Sequence, residues 1–188
     1  MSDMLDHLIA QIITLHVRLL ACRERLAVDT DSEALHDLRT TVRRLRSLVR
    51  PLRGLPGVEQ LESAAKALGT LTTPLRDAEV LGAALITQGF EQAGRRRLQG
   101  RGPSYASVAR SPQLTRLLGA VDAFPAFLRG ADRDGLIQAL DKRIEKRLRK
   151  QWRKLTEALQ DPNHDRHRLR LLIKLSLIHI SEPTRQEA

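Results

Sequence analysis

A chain of 188 residues is long enough to bury a core without disulfides or metals, and it fits one domain or two small ones. Its 32 Lys and Arg outnumber its 22 Asp and Glu, and the formal net charge of +10 predicts a polyanionic partner such as nucleic acid, an acidic membrane or a phosphate polymer. The single cysteine, Cys22, excludes an intrachain disulfide and a cysteine-based zinc site, so we expect a protein of the reducing cytoplasm.

The composition favours an all-α fold. Aromatic residues make up 3% of the chain, and alternating apolar and polar runs, which are typical of strands, are missing. No apolar run approaches the ~20 residues that a membrane span needs, and Asp3 and Asp6 stand where a signal peptide would be basic. We therefore expect an antiparallel helical bundle with no transmembrane segment.

Apolar spacing predicts the first two helices. One covers about residues 3–27, with Leu5, Ile12 and Leu19 on one face. The next begins after capping residues at 30–32 and ends near the Gly and Pro of residues 53–57. Its core-facing stripe comprises Leu35, Leu38, Val42, Leu45, Val49 and Leu52.

Apolar spacing and the positions of glycine and proline predict the later elements of the chain. We expect helices over about 58–71 and 74–87, the second with Pro74 in its first turn, then a basic linker or loop over 89–112. A short helix over 112–128 and a long one over 132–159 follow, with a further helix from about residue 163. The long helix is predicted to turn these residues inward: Leu136, Leu140, Ile144, Leu148, Leu155 and Leu159.

The second helix also carries a row of cations beside its apolar stripe. They lie on one face over ~21 Å of helix, which suits a linear polyanion better than a compact ligand. Arginine binds phosphate oxygens two at a time, and histidine adds donors when it is protonated below pH ~6.5. The row consists of His36, Arg39, Arg43, Arg46 and Arg50, and the long helix offers a second row of Arg143, Arg147, Lys150 and Lys154.

The pattern H-x-L-R-x-x-aliphatic-K/R occurs twice, at residues 36–43 and again at 167–174. In both copies it follows a capping-type stretch at the start of a predicted helix. His167, Arg170 and Lys174 of the second copy correspond to His36, Arg39 and Arg43 of the first. The repeat predicts two similar helical halves that each present a basic face.

These motifs resemble those of the CHAD family, the conserved-histidine α-helical domains, whose two halves each carry H-x-L-R-x-x-x-[KR]-R-x-R. The first copy matches through Arg44 and Arg46, and "LRDAEVL" at 75–81 resembles the family's L-R-D-x-x-V-L segment. The second copy departs from the pattern after Lys174. The resemblance implies binding of inorganic polyphosphate in a basic groove between the halves, lined by Arg, Lys and His.

The last residues, "SLIHISEPTRQEA", resemble a translated sequencing-adaptor read-through. We therefore expect residues 177–188 to be a non-native tail and the second half, 113–176, to be incomplete. Residues 1–88 would form the first half, with 89–112 between the two.

The chemistry predicted from these residues is binding without catalysis, and no metal or cofactor is expected. His36 and Asp37 are adjacent but lack the further ligands that a metal phosphohydrolase needs, and Arg76 and Asp77 are read as structural ion pairs. A general nucleic-acid-binding module and a scaffold that docks acidic partners are the alternatives. We expect a cytoplasmic location, and association with polyphosphate granules is a further possibility that this interpretation leaves open.

Overall fold

The computed structural model describes residues 3–28, 33–55, 57–99, 104–137, 140–161, 165–166, 168–170 and 172–173, and these ranges form helices and turns without a strand. The all-α prediction is thereby confirmed. The division into two similar halves stays a prediction, because His167 and Lys174 of the second motif lie outside the described residues.

The first two helices agree with their predicted positions. Helix α1 (Asp3–Ala27) buries its leucine and isoleucine face, and α2 (Ala34–Val49) continues into a 3₁₀ turn (Arg50–Leu52). The stripe predicted for α2 is buried throughout. The predicted capping residues Thr30, Asp31 and Ser32 lie outside the described residues.

A single helix, α3 (Val58–Thr87), replaces the two that were predicted around Pro74, so that expectation is wrong. A proline inside a helix costs ~3 kcal/mol, because it removes one hydrogen bond and crowds the preceding turn. Burial of one leucine side chain contributes ~1.5–3 kcal/mol, and Leu68 and Leu75 on the two sides of Pro74 are 1% and 0% exposed. The core contacts therefore outweigh the proline, which itself lies exposed.

The segment expected to be a linker or loop contains two helices, α4 (Glu91–Gln99) and α5 (Tyr105–Ala109). Its Gly94 lies against Gly82 of α3, where a Cβ on Gly94 would stand 2.7 Å from the carbonyl oxygen of Gly82. This glycine, which suggested a loop in the sequence, instead lets two helices approach closely.

The next two helices have different bounds from those predicted. Helix α6 (Pro112–Arg133) is capped at its N-terminus by Ser111, whose hydroxyl accepts a hydrogen bond from the Leu114 amide, and it extends past the predicted end. Helix α7 (Leu140–Gln160) begins later than expected, after Gly135 has turned the chain with a φ of 71°.

The predicted inward face of α7 is corrected by the exposure of its leucines. Leu155 is buried at 7%, but Leu148 and Leu159 are 37% and 59% exposed, and Leu136, which lies in the turn before the helix, is 55% exposed. The side chains of Leu140 and Ile144 lie outside the described part. The periodicity is that of an amphipathic helix, and among the side chains that the structure describes, its apolar face is covered around Leu155 and Ala158 but not at Leu148 and Leu159.

Four helices enclose the core. Helix α1 packs against α2 and α6, and α3 packs against the same two helices, so the four close a ring. Helix α5 contacts α1, α4 contacts α3, and α7 contacts the 3₁₀ turn after α2. The seam between α2 and α3 is thus one edge of the ring, and its outer side faces solvent.

Helix α1 meets the length and hydropathy criteria of a membrane span over Leu5–Ala27, with a mean hydropathy of 1.3. It also supplies Leu5, Ile12 and Leu19 to the core, and the central helix of a folded domain meets the same criteria. The expectation that the chain has no transmembrane segment stays a prediction.

Candidate functional site

A cleft opens on the outer side of the α2–α3 seam. Leu35, Leu38 and Leu45 are 0% exposed, and their burial fixes the rotation of α2 about its axis. Each of the residues Leu38, Val42 and Leu45 of the buried stripe is followed directly by an arginine, and these arginines then lie along the edge of α2 that faces α3. The cleft encloses about 110 Å³ and is lined by Leu38, Arg39, Val42, Arg43, Arg46, Ala65, Leu68, Gly69 and Thr72.

The two walls of the cleft differ in chemistry. Helix α2 contributes three guanidinium groups, and those of Arg43 and Arg46 are on exposed residues. Helix α3 contributes three small residues, Ala65, Gly69 and Thr72, together with Leu68. An oxygen-rich anion in this cleft would have the charged donors of α2 on one side and open space beside the small residues of α3 on the other.

Arg39 is held across the cleft by α3. Its Nη1 donates to the Thr72 hydroxyl at 2.8 Å, to the Gly69 carbonyl oxygen at 3.2 Å and to the Thr73 hydroxyl at 3.3 Å. The Thr72 hydroxyl in turn donates to the Leu68 carbonyl oxygen at 2.9 Å. These bonds give a long side chain one orientation before any ligand arrives.

Burial and the neighbouring positive charge of Arg43 lower the pKa of Arg39, while the Asp77 carboxylate acts in the opposite direction. Arginine nevertheless remains charged at any physiological pH. The cleft therefore keeps a partly desolvated cation beside a like charge, an arrangement that an anion would relieve.

The remaining predicted residues of α2 lie outside the cleft. Arg44 is exposed, and on the helical wheel it lies on the flank of α2 opposite the cleft. His36 is exposed in the first turn, and Arg50 is half-buried in the 3₁₀ turn. Asp37 binds Arg25 of α1 at 2.7 Å, so it joins two helices.

Few of the predicted residues beyond α2 can be placed relative to the cleft. Lys150 and Lys154 are exposed on α7, and Arg170 is exposed near the end of the described chain. The side chains of Arg143 and Arg147, and the whole of His167 and Lys174, lie outside the described residues. Whether these cations face α2 across a shared groove is thus still a prediction.

Arg76 forms an ion pair, but its partner is Glu79 at 2.9 Å rather than Asp77. Residues one apart on a helix do not face each other, whereas residues three apart do. Glu79 is 9% exposed and also accepts a hydrogen bond from the Tyr105 hydroxyl of α5. The pair therefore belongs to a contact between α3 and α5.

Gly69, Thr72 and Thr73 were missed by the sequence analysis. Their spacing of i, i+3 and i+4 places small and hydroxyl residues on one helix face, and that pattern was available in the sequence. Nothing in the sequence, however, showed that this face lies against Arg39. Among the described residues, no group of three or more His, Cys, Asp or Glu side chains is placed to hold a metal ion.

Comparison with known proteins gives one result. The family model described as "CHAD domain" matches residues 11–180, and its match ends inside the segment that was predicted to be a non-native tail. No curated protein and no solved structure is significantly similar to the chain.

Proposed function

The chain belongs to the CHAD domain family, which is associated with polyphosphate binding, and on this basis we propose that it binds inorganic polyphosphate in the α2–α3 cleft without catalysing a reaction. The observation that carries the proposal is the convergence of Arg39, Arg43 and Arg46 on one cleft. Polyphosphate is a linear chain of charged groups, and the three arginines follow one helix edge.

The chemistry of the lining supports binding rather than turnover. The residues around the cleft are arginine, threonine, glycine and aliphatic residues, and none of them is a carboxylate, histidine or cysteine. Arginine stays protonated and does not act as a general base. The cleft thus offers strong hydrogen-bond donors to phosphate oxygens but lacks a group that accepts a proton.

The proposal predicts a specific loss on neutralising the cleft. Arg39, Arg43 and Arg46 changed together to Gln should weaken binding of long-chain polyphosphate ~100-fold, since each charge-assisted contact contributes ~1 kcal/mol or more. The slope of log affinity against log salt should fall by ~2, because fewer counterions are released. Titrations at several salt concentrations measure both quantities.

The chain provides a matched control. Arg95, Arg96 and Arg97 lie exposed on α4, so changing them to Gln removes the same charge away from the cleft. This variant should lose much less affinity than the cleft variant. Equal losses in the two variants would mean that polyphosphate binds by net charge alone, and the proposal would fail.

The nucleic-acid alternative is tested by competition with the same preparation. If duplex DNA or RNA displaces polyphosphate readily at physiological salt, a general nucleic-acid-binding module becomes the better description. We also propose a cytoplasmic location and association with polyphosphate granules. Docking of acidic partners is a further proposal, and it is compatible with binding to polyphosphate.

A further inference from the structure

Gly69 stands at an unusual position for a glycine. It lies inside α3, a helix of 30 residues, where glycine is less favourable than any residue except proline. A Cβ at this position would meet nothing within 4 Å, so close packing does not require glycine. Its φ is not positive, so backbone conformation does not require it either. What glycine does provide is open space in the wall of the cleft.

The open space adjoins the anchored guanidinium. The Gly69 carbonyl oxygen accepts a hydrogen bond from Nη1 of Arg39 at 3.2 Å, and the Thr72 hydroxyl accepts another from the same nitrogen at 2.8 Å. A guanidinium carries five N–H donors in a rigid fork. Since these contacts use Nη1, the Nε and Nη2 donors keep a fixed direction relative to the space beside Gly69.

We propose that α3 supplies two determinants of polyphosphate recognition: Gly69 leaves room for a phosphoryl group of the chain beside Arg39, and Thr72 is the positioning residue that orients the Arg39 guanidinium. This inference rests on the proposed function and assigns roles to residues that carry no charge. It accounts for the hydrogen bond that the Thr72 hydroxyl, on a residue with 1% exposure, accepts from a cation of the neighbouring helix.

The role of Gly69 is tested by filling its space. Gly69→Leu adds a neutral side chain at a helical position and leaves every charge in place. It should weaken polyphosphate binding at least ~tenfold and lower the salt slope by ~1 or more, because a phosphoryl group can no longer reach Arg39. A substitution that only destabilised the fold would not be expected to change the salt slope, because the charge of the protein stays the same.

Gly119 on α6 provides the control, because a Cβ there also meets nothing within 4 Å and the residue does not line the cleft. Gly119→Leu should leave both affinity and salt slope unchanged. Both variants exchange glycine for a better helix former, so thermal unfolding should show that neither is destabilised. If Gly69→Leu binds like the parent protein, the space beside Gly69 is not used and the inference is overturned.

The role of Thr72 is tested by removing its hydroxyl. Thr72→Val keeps the shape of the side chain and should weaken binding several-fold, while Thr72→Ser, which retains the hydroxyl, should restore it. Thr70→Val is the control on the same helix, since the Thr70 hydroxyl donates to the Lys66 carbonyl and makes no bond to Arg39 in the described structure. Equal effects of the Val and Ser variants at residue 72 would refute a positioning role.

These outcomes separate the inference from the function on which it rests. If the unmodified protein shows no affinity for polyphosphate beyond that of a generic basic protein, the proposed function fails. If the unmodified protein and the three-arginine variant behave as expected but the substitutions at residues 69 and 72 have no effect, the function stands and only the roles given to α3 are wrong.

Discussion

Helices α2 and α7 have similar sequence patterns and different structural surroundings. Both are amphipathic and rich in basic residues, which are arginines in α2 and both arginines and lysines in α7, and both were expected to place a basic row beside a buried stripe. In α2 the stripe is buried and Arg39 bonds to α3, whereas in α7 Leu148 and Leu159 are exposed and the helix packs on the 3₁₀ turn. The comparison shows that cations of one helix line a cleft, with one side chain held in place, where a second helix supplies a wall and hydrogen-bond acceptors.

The hydrogen bonds of the arginines show the same contrast. Arg39 donates to a carbonyl and two hydroxyls of another helix. Arg149 of α7 instead pairs with Glu145 one turn away, at 2.6 Å, with both side chains largely exposed. The first arrangement orients a donor group toward a cleft, and the second partly neutralises charge on a solvated surface.

The largest expected difference between the two helices is in stability. Leu45 of α2 is 0% exposed and Leu159 of α7 is 59% exposed. Leu45→Ala should lower the free energy of unfolding by ~2–5 kcal/mol through lost burial and a residual cavity. Leu159→Ala should change it by less than ~0.5 kcal/mol. Urea denaturation followed by circular dichroism measures both, and equal losses would show that α7 buries its apolar face against a partner.

A smaller difference is expected in binding. Arg39 and Arg43 changed together to Gln should weaken polyphosphate binding more than tenfold, since Arg39 is oriented by α3 and partly desolvated and Arg43 lines the same cleft. Lys150 and Lys154 changed together should weaken it by ~threefold or less, because exposed lysines act as screened point charges. The two double variants lose the same charge. A loss for the α7 pair as large as that for the cleft pair would establish α7 as part of the site.

The smallest expected effects concern the two ion pairs. Arg25 and Asp37 join α1 to α2 at 2.7 Å with side chains 34% and 46% exposed, whereas Arg149 and Glu145 lie within α7 and are 78% and 58% exposed. Double-mutant cycles should give a coupling of ~0.5–1 kcal/mol for the first pair and ~0.3–0.5 kcal/mol for the second. A coupling for the α7 pair that exceeds the other would indicate that solvent screening is weaker around α7 than its exposure implies.

Pro74 and the glycines show where local patterns mislead. Proline and glycine usually end helices, which predicted a break at Pro74 and a loop over 89–112. The structure keeps α3 continuous because leucines on both sides of Pro74 are buried, and it uses Gly94 for a close contact between α3 and α4. In both places long-range packing outweighed a local preference whose cost is only a few kcal/mol.

The amino-acid sequence alone determined the helical class, the bounds of α1, the buried stripe of α2 and the edge on which Arg39, Arg43 and Arg46 lie. Each of these follows from the 3.6-residue period of a helix, which operates within a few turns of the chain. Only the tertiary structure decided that Gly69 and Thr72 lie opposite Arg39, and that the leucines of α7 at 148 and 159 are exposed. The contacts of Arg39 with α3 join residues about 30 positions apart. They depend on how whole helices pack, and the local periodicity of the sequence does not encode that packing.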